Sequence, residues 1–133
     1  MPTLFTRIIN REIPGRFVHE DEQCVAFLTA APLRPGHTLV VPKLEIDHWV
    51  DLPPALLSHL MLTAQKVAQA MQRAFPSVKV GMVIVGLEVP HCHIHLSPID
   101  RIGDLNFDNQ NSQALPEDLD AAAEAIRREM PKS

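Results

Sequence analysis

His91, His93 and His95 stand two apart within residues 84–99, with Cys92, Ile94 and Leu96 between them. Strict alternation is the pattern of a strand with one polar and one buried face. Three imidazoles then project from the same side, neighbours about 6.5–7 Å apart along the backbone. No other stretch gathers reactive side chains so tightly. Such a triplet can serve two chemistries. Two of the imidazoles can share a zinc ion, with a third ligand drawn from His37, His48, Glu45 or Glu88, and the spacing does not choose among these. Alternatively, a neutral imidazole attacks phosphorus and forms a covalent phosphohistidine. A hydrogen bond at one ring nitrogen frees the other to attack, while a flanking imidazole binds a phosphate oxygen or protonates the leaving group.

The elements that must carry this stretch can be read from periodicity and punctuation. Residues 3–9 form a short helical turn, with Leu4, Phe5, Ile8 and Ile9 at helical intervals and Thr3 as its cap. Strands are expected at 16–20, 23–28 and 37–41, the last preceded by the Pro35-Gly36 turn and closed by Pro42. Pro53-Pro54 opens the clearest helix, ended by Pro76, with Leu57, Leu60, Met61, Ala64, Val67, Ala68 and Met71 as its apolar stripe. Residues 78–85 read as a buried strand and the histidine run as the strand after it. Residues 101–113 are polar and irregular. A final helix spans 115–130, with Leu119, Ala123, Ile126 and Met130 on one side, and residues 131–133 are expected to fray. The sum is one domain over residues 1–133. It is an α+β fold with a mostly antiparallel sheet of about five strands that pair with their sequence neighbours, one long inserted helix and a C-terminal helix.

Composition narrows the function classes. A chain of 133 residues with 46% hydrophobic and 21% charged residues can build its own core. A net charge of −4 without a Lys/Arg cluster gives no footprint for nucleic acid, and five Phe, one Trp and no Tyr give no base-stacking platform. Cys24 and Cys92 each sit in an apolar run, where cysteine behaves as a small hydrophobe, and neither needs a disulfide. No signal peptide or membrane span is read, so a cytoplasmic protein is expected. His19, His48 and His59 read as ordinary surface or half-buried residues, and His37 as a histidine that hydrogen-bonds a loop.

The run His91-Cys92-His93-Ile94-His95-Leu96 resembles the signature of the histidine triad (HIT) family, in which histidines alternate with apolar residues. The resemblance extends to residues 9–14, 20–22, 25–28 and 35–43, in the family's order and spacing, and covers about residues 3–100. It is similar to the HinT-like nucleotide-binding branch. The resemblance implies a homodimer that binds a purine nucleotide and acts at its α-phosphate, on phosphoramidates or dinucleoside polyphosphates. His93 would be the nucleophile, His91 would orient it and His95 would contact phosphate. Leu4, Phe5, Ile8 and Phe27 align with the family's base pocket, although any of the four could equally be ordinary core.

The departures from the family pattern are specific. Thr29 stands where relatives often carry an Asp that holds the ribose hydroxyls, and Thr offers no bidentate carboxylate. Leu87 and Glu88 replace a Gln and a Ser or Thr ahead of the triplet, and Glu88 near a phosphate would repel it. The upstream segment at 80–83 lacks the usual Asn. Some bacterial relatives hold a structural zinc through positions that are here Thr3, Thr6 and Glu45. With all three changed, no metal and no cofactor is expected.

Overall fold

Residues 24–28 and 38–42 are buried throughout, and their side chains alternate between the two buried faces of a sheet. A computed structural model describes residues 2–132; of the residues expected to fray, 131 and 132 lie beyond the last helix and Ser133 lies outside the described residues. The elements are α1 (Leu4–Ile9), β1 (Phe17–Glu20), β2 (Cys24–Leu28), β3 (Thr38–Pro42), α2 (Pro54–Ala74), β4 (Lys79–Val83), β5 (Ile94–Ile99) and α3 (Pro116–Glu129). Short 3₁₀ turns lie at Trp49–Asp51, Ile102–Leu105 and Phe107–Asn109.

The strands form one antiparallel sheet in the order β1-β2-β3-β5-β4. The expected pairing of sequence neighbours holds for β1–β2, β2–β3 and β4–β5 and fails once, where β3 pairs with β5 rather than β4. The reason is burial. Ile94, Leu96, Ser97 and Pro98 of β5 are all buried, whereas Lys79 and Met82 of β4 are exposed, so β5 takes the interior position and β4 the edge.

One face of the sheet carries Cys24, Ala26, Leu28, Val40, Ile94 and Leu96, covered by Leu56, Leu60, Ala64, Val67, Ala70 and Met71 of α2 and by Ala122, Ala123 and Ile126 of α3. Each fully buried aliphatic side chain there contributes about 1.5–3 kcal/mol. Met61, expected in the stripe of α2, is instead 40% exposed. The helix turns Leu56, Thr63 and Ala70 inward in its place.

The opposite face presents Val25, Phe27, Leu39 and Val41, and α1 packs against it through Phe5 and Ile8. Register places Phe17 opposite Phe27, Phe27 opposite Leu39, and Leu39 opposite His95. These four residues therefore share one face in a row across β1, β2, β3 and β5. Six residues of helix cannot cover so wide a face, and the uncovered part is a cavity. No helix among the described residues is long and apolar enough to cross a membrane.

Candidate active site

The histidine run is only partly a strand. β5 begins at Ile94, so His95 belongs to the ladder while His91, Cys92 and His93 lead into it as irregular chain. The Cys92 N–H donates to the Ile46 carbonyl at 2.7 Å, tying this lead-in to the loop after β3. Alternation survives nonetheless. Cys92, Ile94 and Leu96 pack into the core under the helices. The histidine face is not solvent-exposed, as a polar strand face would be. His91 and His93 are buried and His95 is half-buried.

Hydrogen bonds assign the nitrogens of each ring, through a backbone group for His91, His93 and His37 and through His37 for His95. The Pro42 carbonyl accepts from Nε2–H of His91 at 2.7 Å, which leaves Nδ1 to accept from the Thr3 hydroxyl at 2.8 Å. The His91 carbonyl accepts from Nδ1–H of His93 at 2.8 Å, which leaves Nε2 of His93 with a free lone pair. The Leu33 N–H donates to Nδ1 of His37 at 3.0 Å. The proton of neutral His37 is then on Nε2 and is donated to Nδ1 of His95 at 3.0 Å. His95 in turn carries its proton on Nε2. His37 does bond a loop, as expected, but its other nitrogen sets the tautomer of His95.

Burial keeps this chain of imidazoles neutral. It lowers His37 to about 4, with the neighbouring His93 acting in the same direction. It lowers His95 to about 3, helped by His93 and His37. Burial also lowers His91 and His93, partly offset by the carbonyls of Pro42 and His91 respectively. A neutral imidazole with Nε2 free, as in His93, can attack an electrophile without any further base.

The cavity beside these rings measures about 510 Å³, within the range of small-molecule sites. His93 and His95 line it, as do all six other residues singled out in the sequence: Leu4, Phe5, Ile8, Phe27, Thr29 and Glu88. His91 lies behind His93 and outside the lining. Phe5 is both core and wall. Its ring meets His93 edge-on at 4.8 Å and Phe27 at 5.6 Å. Thr29 accepts from the Ala31 N–H at 3.2 Å and keeps its own O–H to donate. Leu87 is 89% exposed at the rim beside Glu88.

Two wall residues come from the segment read as irregular tail. Phe107 packs edge-on against His95 at 4.8 Å, and Gln110 lines the cavity while its amide donates to the Ala31 carbonyl. A lone Phe among Asn and Asp is the signal that could have marked this segment. His48 is exposed and outside the cavity lining.

Thr3, Thr6 and Glu45 lie together beneath His91. The Thr3 N–H and Thr6 hydroxyl donate to Glu45 Oε1 at 2.8 and 2.7 Å, and the Thr6 N–H donates to the Thr3 hydroxyl. The Thr3 N–H and Thr6 hydroxyl hold the Glu45 carboxyl below its ordinary range. Hydroxyls are not zinc ligands, and these oxygens are already engaged, so the donor set does not fit a structural zinc here. It serves instead to cap α1 and to fix His91.

A model of the HIT domain matches residues 10–102. The chain belongs to the HIT family. Among HIT relatives, an uncharacterized HIT-like protein of Synechococcus elongatus is 39% identical over 99 residues, covering 71% of this chain and 87% of that one. A HIT-like protein involved in cell-cycle regulation from Bartonella henselae superposes with a TM-score of 0.82 at 28% identity, covering 96% of both chains. A HIT family hydrolase from Legionella pneumophila Philadelphia 1 superposes with a TM-score of 0.67 at 31% identity, covering 76% of this chain and 96% of that one. The HIT family and the HIT fold thus agree with what the triplet's neighbourhood implied.

Proposed function

We propose that this HIT protein is a nucleotide hydrolase or nucleotidyl transferase of the HinT-like kind, acting at the α-phosphate of a purine phosphoramidate or dinucleoside polyphosphate. One observation carries the reading: Nδ1–H of His93 is committed to the His91 carbonyl at 2.8 Å, so the attacking nitrogen is Nε2, on a ring that lines the cavity. In the reaction, the Nε2 lone pair forms a bond to the α-phosphorus as the bond to the leaving amine or phosphate breaks, the leaving amine taking one proton from solvent. The ring becomes a nucleotidyl-imidazolium. Its Nδ1–H stays on the His91 carbonyl, which stabilises the new positive charge. Nε2–H of His95 donates to a phosphate oxygen. Water then attacks phosphorus, the P–N bond to His93 breaks, and the water's proton passes to solvent, releasing the nucleoside monophosphate and restoring the neutral His93; in a transferase, another acceptor takes the place of water.

The apolar wall of Leu4, Phe5, Ile8 and Phe27 suits a purine ring, and the Thr29 hydroxyl suits one ribose oxygen. A second reading, a nucleotide-binding module with little turnover, is favoured by one feature. Glu88 lines the cavity, and its charge, which favours the protonated form of His93, also opposes an incoming phosphate. The discriminating experiment measures nucleoside monophosphate binding and turnover of an adenosine phosphoramidate side by side. Affinity with product formation supports the enzyme, and affinity without product from a panel of phosphoramidates and dinucleotides supports the module.

The same reading includes a homodimer. The apolar stripe of α2 is occupied by the core, so the surface offered is the open edge of β4 with exposed Val78 and Met82, and Met61 and Leu62 on the outer side of α2. Unpaired strand edges and exposed apolar side chains both favour covering. Sedimentation at micromolar concentration tests this, and monomer alone would contradict it. A cytoplasmic location is part of the same proposal.

A further inference from the structure

A second histidine cluster lies where α2 packs over the β1–β2 turn. Asp21 occupies that turn, and its Oδ1 accepts the N–H groups of Gln23 and Cys24 at 2.8 and 2.9 Å. Its other oxygen, Oδ2, meets Nε2 of His19 at 2.7 Å, Nε2 of His59 at 2.9 Å and Sγ of Cys24 at 3.5 Å. A carboxylate holding a turn needs no such convergence of two imidazoles and a thiol on one atom. Ligand atoms of His19, Asp21 and Cys24 all lie within 4.8 Å of one another, and among the described residues no other grouping of three or more such side chains does.

We infer that His19, Asp21, Cys24 and His59 form a binding site for a zinc-like divalent cation, separate from the nucleotide cavity. The ligand set decides the class of ion. Two imidazoles, one carboxylate and one thiolate match the nitrogen and sulfur preference and four-fold coordination of zinc, and they do not suit magnesium or calcium. The carboxylate and thiolate charges together balance a dication. Three different pieces of chain supply the ligands, so binding would cross-link β1, the start of β2 and α2. His19, Asp21 and Cys24 already hold their ligand atoms close enough for Zn–N and Zn–S bonds of about 2.0 and 2.3 Å after a small opening, and His59, which touches Asp21 Oδ2 at 2.9 Å, completes the set by swinging its ring toward the other ligands.

The surroundings suit the role. His19, Asp21 and His59 retain 22%, 28% and 34% of their side-chain exposure, which leaves a path for an ion from solvent. Cys24 is fully buried, and the Thr63 hydroxyl, one turn along α2 from His59, lies 3.4 Å from its sulfur. That hydroxyl can donate to a thiolate, as outer-shell groups do at metal sites. Burial now pushes the Cys24 thiol up to about 11, so it is protonated near neutrality. Coordination breaks the S–H bond, forms the metal–sulfur bond and releases one proton to solvent.

The test titrates full-length, tag-free, chelator-treated protein with Co²⁺, then displaces it with Zn²⁺. One saturable site per chain is expected, with a thiolate-to-cobalt charge-transfer band and a rise in melting temperature. Cys24→Ser should abolish the band, and His59→Gln should weaken binding roughly tenfold or more. His93→Asn should change neither. Melting of each variant without metal confirms that it folds. Cys24→Ala supplies a second variant lacking sulfur if Cys24→Ser does not fold. Absence of the thiolate band in the wild type, its persistence without Cys24, or binding lost only with the cavity histidines would each overturn the site.

Discussion

The two faces of the sheet carry two histidine clusters that treat the same side chain in opposite ways. Beside the cavity, His91, His93, His95 and His37 are assigned proton by proton through backbone carbonyls, a backbone N–H and one another. Among the described residues no carboxylate hydrogen-bonds any of these rings, and burial keeps them neutral. Under α2, His19 and His59 converge instead on one carboxylate. Burial alone would raise Asp21, but the bonds from His19, the turn N–H groups and His59 outweigh it and hold the carboxyl well below its ordinary range. The first arrangement leaves a neutral imidazole with a free Nε2 lone pair, and the second gathers two imidazoles on one carboxylate oxygen. What an imidazole does here depends on its hydrogen-bond partners more than on its spacing in the chain.

The sharpest way to break this contrast is to remove one ring from each cluster. His93→Ala should cost at least about 10³-fold in phosphoramidate turnover while the fold survives, since a nucleophile has no substitute. Next in size, His37→Ala should lower kcat by about 10²-fold with the fold intact, because His95 would be free to adopt the wrong tautomer. Steady-state kinetics with circular dichroism checks both. If His37→Ala turned over normally, the assignment of His95 through His37 would be wrong.

The clusters should also separate by pH. His37 and His95 titrate below their ordinary 6.5 when folded, so the unfolded chain takes up protons first as pH falls. Their contribution to stability is full above 6.5 and is lost as pH drops toward about 4 and about 3. Asp21 is lowered from 3.8, so its contribution is full above that value and fades only in stronger acid. Urea midpoints across this range should show the first loss for the wild type and less of it for His37→Gln. Turnover should be flat above 6.5 and fall on the acid side as His93, also lowered by burial, becomes protonated. The smallest expected effect is in the second cluster. Without added metal, His19→Ala should leave turnover within about twofold and cost about 1 kcal/mol in chemical denaturation, the worth of one hydrogen bond.

Much of this was legible in the chain because local rules and burial agree. Thr3 caps α1, Pro54 opens α2 and Pro116 opens α3, and the apolar runs of β2 and β3 lie in the sheet where strands were expected. The six residues aligned with a substrate pocket line one cavity because Phe27, Leu39 and His95 share a row and α1 borders it. What was not legible depends on long-range pairing. Nothing local shows that β3 meets β5, that Phe107 returns to His95, or that His37 reaches it across 58 positions. His19 and His59 look ordinary in sequence because the carboxylate that joins them is held by a turn on one side and faced by a helix on the other.

The most direct measurement is mass spectrometry of the protein quenched during turnover of an adenosine phosphoramidate, with peptide mapping of any adduct. A nucleotidyl group on His93, absent in His93→Ala, is the expected result. Turnover with no adduct on His93, or an adduct on another residue, would contradict catalysis through the free nitrogen of that ring.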